Sequence, residues 1–538
     1  MIARLQWAHA GTGNNREAAR MSLNLAYFLE ATAEKYPGKT ALILDQWKMS
    51  YAELSASVKK MANVLRDRGV KKGDKVAIML PNTPHFPIAY YGILNAGGTV
   101  VPINCMLKAL EIQYQLEDSD AFVFIAWHGF EEEARRAFLQ TETCRHFIVV
   151  GGPSSTPPQV GEALEPALGV ASSTFDMVQT MPEDTAVILY TSGTTGTPKG
   201  AELTHFNIFF NAFFARDYIV KVQPDDVGLV VLPLFHSFGQ TCVMNVGLMA
   251  GATLTMLPVF ETNKTLEIIQ RDHVTFLAAV PTMFFWMLSS EENSKYDISS
   301  LKMAVSGGAA LPVDVLNRFY DRFGVRILEG YGLTETSPIA SFNMPDRPSK
   351  PGSIGTPIWG CEMKIMREDG TFAGVDEVGE IVLRGHNLMK GYYKRPGATE
   401  SVIVDGWFHT GDLAKMDEDG YFFIVDRKKD LIIRGGMNIY PREIEEALYG
   451  HPDIVEVCVI GVPDEARGEE VKAYVALAKS ATVTPEELRH YCEERMARYK
   501  VPRYIEILPS LPKGPTGKLL KRKLREMSIE SSGGEGKA

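Results

Sequence analysis

One stretch of this chain holds the residue types that grip a polyphosphate: Tyr190-Thr191-Ser192-Gly193-Thr194-Thr195-Gly196-Thr197-Pro198-Lys199-Gly200. Its glycines let backbone N–H groups approach an oxyanion closely, its hydroxyls add donors, and Lys199 adds charge. It contains no acid. Pro198 stands where a Walker A loop has glycine, so this is not that motif. An ordinary Gly/Thr-rich surface loop has a similar composition. The apolar run Ala186-Val187-Ile188-Leu189 precedes the loop, and the segment from Thr204 to Phe210 has helical spacing. The order therefore reads strand, loop, helix.

Further segments could carry chemistry. Pro233-Leu234-Phe235-His236-Ser237-Phe238-Gly239, Ser306-Gly307-Gly308-Ala309-Ala310 and Glu329-Gly330-Tyr331-Gly332-Leu333-Thr334-Glu335-Thr336 each follow a strand-like run. Open α/β sheets place ligands just past such strand ends. Downstream come Gly406 to Asp412, Asp426-Arg427-Lys428-Lys429-Asp430, and Pro512 to Lys518. Singly, each has a bland reading. His236 reads as a satisfied core histidine, the Gly-rich segments as tight turns, Asp412 as an Asx-turn residue, Glu335 as a helix cap and Lys518 as a surface lysine.

The elements that must position these residues alternate. Helical spacing covers Leu25 to Tyr36 and Tyr51 to Gly69, and buried strands fit Lys75 to Leu80 and Thr99 to Ile103. The pattern repeats between 181 and 345, which predicts parallel sheets covered by helices. After Pro351 strands alternate with short turns, as in a small β-barrel or antiparallel sheet. From Asp430 a compact α+β unit follows, with a helix entered through Pro441 and another over Thr484 to Ala497. The expected fold is α/β: a large N-terminal domain of two helix-covered β-sheets plus a small β-barrel (1–428), and a small mobile α+β C-terminal domain (429–538). Residues 1–20 read as a loose tail, with Met21 as an alternative start, and 528–538 as a disordered tail.

Composition sets limits. The chain has 538 residues, 45% hydrophobic and 23% charged, with a net charge of −10. That suits a globular enzyme and excludes a broad nucleic-acid footprint. The six cysteines are scattered without a Cys-x-x-Cys pair, which fits a reducing cytosol rather than a disulfide or zinc framework. No signal peptide is visible. The uncharged run Cys242 to Phe260 is broken by Gly247, Gly251 and Pro258, so it reads as a buried helix, turn and strand rather than a membrane span.

Taken together and in this order, the motifs resemble those of the adenylate-forming superfamily: acyl-CoA synthetases, peptide-synthetase adenylation domains and beetle luciferases. The resemblance runs from about Leu23 to about Arg525 and looks most like bacterial long-chain fatty-acid–CoA ligases. It implies ATP, Mg2+ and CoA. Ser192, Gly193, Thr194, Thr195 and Gly196 would hold the β- and γ-phosphates with Lys199. Gly308, Ala309, Ala310, Glu329, Gly330 and Tyr331 would frame adenine. Thr334 would touch the α-phosphate and Glu335 would bind Mg2+. Asp412 would accept from the ribose hydroxyls with Arg427 in support. Lys518 would bridge the substrate carboxylate and the α-phosphate, with His236 where acyl chain and nucleotide meet. Lys429 would be the hinge of a rotating C-terminal domain, and Gly435 and Gly436 would line a pantetheine tunnel. Lys518 also sits in a Pro-x-x-x-x-Gly-Lys pattern that a lysine acetyltransferase modifies in bacterial relatives.

The resemblance also bears on the acid. Amino-acid-activating relatives carry an aspartate after the His236 motif, whereas Ser237 to Thr241 has none. Malonate-using relatives carry an arginine where Trp286 stands. A fatty or aryl monocarboxylate remains, which suggests a cytoplasmic enzyme with peripheral association at the inner membrane face.

Overall fold

The computed structural model describes residues 22–152, 157–191, 197–479, 481–514 and 517–534. Two large sheets form the body of the N-terminal part. One has eight strands in the order Gly391–Tyr392, Lys199–Thr204, Thr185–Thr191, Thr99–Pro102, Lys75–Met79, Ala121–Trp127, His146–Val150 and Glu162–Ala163. Its centre is parallel and its Lys199 edge antiparallel. The other has nine strands, and Phe276–Ala279, Met303–Ser306 and Ile327–Gly332 run parallel side by side within it. Most residues of the central parallel strands are buried and apolar, as expected where helices cover both faces.

After Pro351 comes a five-stranded antiparallel sheet, in which Trp407–Met416 pairs with both Gly379–Gly385 and Phe422–Arg427. The C-terminal unit packs helices Pro441–Tyr449, Pro485–Glu493 and Lys521–Gly534 around a five-stranded sheet, with Tyr504–Ile507 parallel to Gly468–Leu477 and the other pairings antiparallel.

Three expectations change. Lys199–Thr204 is a strand paired antiparallel to Thr185–Thr191, so the order is strand, loop, strand, and only then helix His205–Phe214. The helix expected to reach Ala497 stops at Glu493. The stretch from Ser528 to Gly534, expected to be disordered, continues the helix Lys521–Gly534. Leu524 and Ser528, one turn apart on that helix, are both buried, Leu524 against Cys458 and Tyr474. The run from Cys242 is a π-helical turn and helix ending at Ala250, then Gly251 at φ +78° and strand Thr253–Met256. Among the described residues, no helix is long and apolar enough to cross a membrane. All six cysteines are free, and all but Cys105 are buried.

Candidate active site

The hairpin that carries the Gly/Thr loop places Thr191 opposite Lys199. Ser192, Gly193, Thr194, Thr195 and Gly196 lie outside the described residues. The Lys199 ammonium sits 5.2 Å from the centroid of the Tyr392 ring. The Tyr392 hydroxyl donates to Glu335 Oε1 at 2.9 Å, and Thr191 donates to the same oxygen at 3.3 Å. Glu335 is buried on a single 3-10 turn, Thr334–Thr336, so it does not cap a helix there. Tyr392 had no motif to announce it. It lies on the short strand Gly391–Tyr392 beside Lys199–Thr204, a pairing that the sequence does not mark.

A second cluster lies across the strand ends. Asp412 and Arg427 are direct partners on neighbouring antiparallel strands. Asp412 is buried; Arg427 Nε lies 3.1 Å from its Oδ1, and the Tyr331 hydroxyl donates to its Oδ2 at 2.6 Å. Gly308 follows strand Met303–Ser306 with φ +84°, a conformation that favours glycine. A Cβ there would lie 3.1 Å from Lys518 Cε, so the lysine of the C-terminal unit reaches this ledge. Gly308, Ala309 and Ala310 are exposed along it. The buried Glu329 accepts the Leu311 N–H at 2.9 Å through Oε1, while its Oε2 has no partner among the described residues. Burial raises its pKa to about 7.

Burial, then the nearby Arg427 guanidinium, lowers the Lys518 pKa to about 8, against the pull of Asp412. His236 is lowered to about 3 by burial and by Lys518. Its Nδ1 accepts the Phe238 N–H at 3.3 Å. The imidazole is therefore neutral with its proton on Nε2, able to donate a hydrogen bond and unable to take a proton near neutral pH.

The structure thus gathers Lys518, Gly308, Asp412, Arg427, Tyr331 and His236, and separately links Lys199 to Glu335. Lys429 is exposed in the turn after Arg427. Gly435 and Gly436 form the two-residue turn between Ile432–Arg434 and Met437–Ile439, with φ +58° and +81°, and a Cβ on either would meet nothing within 4 Å. Here the backbone conformation of the hairpin demands glycine, not crowding by a neighbour. Trp286 packs on Phe260 beneath the Lys513 ammonium.

A buried carboxylate held by Arg427 and Tyr331, a hairpin that pairs Thr191 with Lys199, and a lysine arriving from the C-terminal unit lie together at the strand ends. The model of the AMP-binding enzymes matches residues 29–393, and that of the AMP-binding enzyme C-terminal domain matches 443–518. The chain belongs to the AMP-binding enzymes. It is 40% identical to a long-chain-fatty-acid–CoA ligase of Bacillus subtilis (strain 168), over 94% of this chain and 95% of that one. It is 36% identical to a feruloyl-CoA synthase of an Amycolatopsis species, over 92% and 96%. Among solved structures, the anthranilate CoA ligase AuaEII with anthranoyl-AMP superposes with a TM-score of 0.90 at 28% identity, covering 95% of this chain and 98% of that one. ATP-bound MatB from Rhodopseudomonas palustris gives 0.86 at 33%, covering 94% and 99%.

The chain is an adenylate-forming acyl- or aryl-CoA ligase, using ATP, Mg2+ and CoA. A Mg2+ of this kind takes one or two carboxylates and otherwise phosphate and water. The buried Glu335 fits that need; among the described residues no group of three or more His, Cys, Asp or Glu could hold a metal without substrate.

Proposed function

We propose that this AMP-binding enzyme is a fatty-acid–CoA ligase for medium- or long-chain monocarboxylic acids. The observation that carries the reading is the lining beside Lys518. The Phe238 ring lies 3.3 Å from where a Gly307 Cβ would sit, and Val280 flanks Gly308. His236 is neutral, and Ser237 to Thr241, buried throughout, include no acid or base. A second substrate charge would find no partner there and would cost several kcal/mol to bury. The identity to the Bacillus subtilis ligase supports an alkyl chain.

The geometry of the described residues supports the roles that the resemblance implies. Lys199 and the Gly/Thr loop would hold the outer phosphates, and Glu335 would hold Mg2+, which when bound supplies positive charge at the phosphates. Asp412 accepts from the ribose hydroxyls, held by Tyr331 and Arg427. The Gly308 to Ala310 ledge and the Glu329 to Tyr331 strand frame adenine, where the unpaired Glu329 oxygen suits an amine donor. A substrate carboxylate oxygen attacks the α-phosphorus, the bond to the bridging oxygen breaks, and pyrophosphate leaves. Lys518 lies between the two anions that must meet. CoA thiolate then attacks the acyl carbon and AMP leaves. The substrate itself is the nucleophile, so no protein nucleophile is required.

A panel of acids from hexanoate to oleate, with ferulate, benzoate and malonate, tests the reading by pyrophosphate release and loss of CoA thiol. Octanoate or longer is expected to give the highest kcat/KM, with malonate about 10²-fold lower or worse, on the scale of burying an unpaired charge. Ferulate or benzoate exceeding every alkyl acid would overturn the alkyl assignment. Pyrophosphate release without thiol loss would instead point to a ligase that hands its adenylate to a carrier protein. Acetylation of Lys518 would remove the ammonium, so an acetylated enzyme should lose adenylation.

A further inference from the structure

The reading of Lys518 puts the reacting ammonium on the smaller unit, so its loop must be seated on the larger one. That loop is closed on itself. Lys513 bridges Leu519, the Gly514 N–H donates to the Lys518 carbonyl at 2.8 Å, and the Gly517 N–H donates to the Gly514 carbonyl at 2.9 Å. It can therefore move as one piece.

Besides Lys518 at the Gly308 ledge, the described residues of the loop touch the large unit at helix Pro281–Ser289 and the residue before it. The Thr282 hydroxyl donates to the Gly517 carbonyl at 3.1 Å, across 235 residues of sequence. Val280 Cγ2 lies 3.2 Å from where a Gly517 Cβ would sit. One turn beyond Thr282, the Trp286 ring lies under the Lys513 ammonium, 4.8 Å from its centroid. Phe260 backs Trp286 at 5.4 Å between centroids, and the buried Glu456 of the small unit pairs with Lys513 from behind. Thr282 and Trp286 are four residues apart on the helix, as are Gly517 and Lys513 on the loop. Two points of contact fix orientation as well as position.

We infer that Thr282 and Trp286 form the seat for the lysine loop and are positioning residues for the adenylation half of the reaction. This rests on the reading of Lys518 given above. The two contacts are a neutral hydrogen bond and a cation–π pair, both individually weak. A seat of that kind holds the loop in register yet lets it leave, which suits a lysine needed in one half-reaction and not in the other.

The test uses the full-length enzyme with the half-reactions measured apart: first-turnover pyrophosphate release, and thioester formation from supplied acyl-adenylate and CoA. Thr282→Val should lower pyrophosphate release about three- to tenfold, the scale of one hydrogen bond. KM for acid and ATP and the thioester half should be unchanged, and Thr282→Ser should restore the rate. Lys513→Gln should lower the same step about two- to fivefold. Wild-type adenylation in Thr282→Val, or equal loss in both halves, overturns the seat. If Thr282→Val fails to fold, Lys513→Gln decides alone, since an unchanged first turnover overturns the seat. Lys518→Ala separates the two readings. Pyrophosphate release surviving in it sinks the lysine assignment. Its loss, with Thr282→Val and Lys513→Gln both at wild-type rate, sinks only the seat.

Discussion

Lys518 is a cation held in an enclosed site beside another cation, and its pKa records the cost: about 8 rather than 10.5, from burial first and Arg427 second. Between pH 8 and 10.5 the unseated lysine binds more protons than the seated one, so docking of the loop without substrate grows more favourable as pH rises through that window. Below pH 8 both forms are charged and the penalty is constant. Bound phosphate and carboxylate reverse the sign, because they favour the ammonium. Adenylation measured as first-turnover kcat/KM should therefore fall as pH rises through about 8. In Lys518→Arg, slower overall, the guanidinium stays charged and that fall should vanish; a persisting fall would assign the titration to another group. Asp412 gives a second residue-scale prediction. Its oxygens are already ordered by Tyr331 and Arg427, so in the proposed role they would meet the ribose without rearranging. Asp412→Ala should raise KM for ATP about tenfold to 10²-fold, the scale of hydrogen bonds to a charged group, with KM for the acid little changed. The Asp412 and Arg427 motifs were readable singly. That they face each other was not, because the register of their strands is set by the intervening Asp417 to Gly420 turn.

At the scale of elements, Gly330-Tyr331-Gly332 reads from sequence as a tight turn, with Gly330 and Tyr331 framing adenine by resemblance, and the fold adds a packing reason for its glycines. A Cβ on Gly332 would lie 1.9 Å from the Pro338 carbonyl oxygen, and one on Gly330 would strike the Phe342 ring at 2.1 Å. Strand Ile327–Gly332 is pressed against Ile339–Phe342, with a register shift between Tyr331 and Gly332. Gly332→Ala must push backbone apart and should cost about 2 kcal/mol or more, read as a lower urea midpoint. Gly411, unlike Gly332, has a positive φ, at +74°, with open space around it, so Gly411→Ala bears backbone strain without a clash and should cost less. Equal losses would show that left-handed backbone strain at Gly411 costs as much as the clash at Gly332. The central parallel strands were legible as short apolar runs rich in Val, Ile and Ala. Lys199–Thr204 was not. Only Ala201 and Leu203 mark its alternation, and what makes it a strand is pairing on both sides, with Thr185–Thr191 and with Gly391–Tyr392.

At the scale of the molecule, Lys518 lies beside the Gly308 ledge with its loop on Thr282 and Trp286, the arrangement that the role proposed for Lys518 requires in the first half-reaction. On that proposal the second half needs the lysine gone, and the turn after Arg427 is where the chain would pivot. Lys428 N–H donates to the Gly411 carbonyl, and the Asp430 and Leu431 N–H groups both donate to the Arg427 carbonyl. Lys429 lies between them, exposed, and its own N–H makes no hydrogen bond among the described residues. Proline there would remove no bond from the observed state, yet it fixes φ and restricts the preceding residue, which is where a pivot must turn. Lys429→Pro should keep first-turnover pyrophosphate release within about threefold of wild type, since it withdraws no hydrogen bond from the seated state. Thioester formation from supplied acyl-adenylate should fall about 10²-fold or more, the scale at which misplacing a reacting group acts. If both halves fall together, the substitution has distorted the seated state. If neither falls, the chain pivots elsewhere, and Asp430, buried and tied to Arg525 at 2.7 Å across the unit, would mark the rigid side of that boundary.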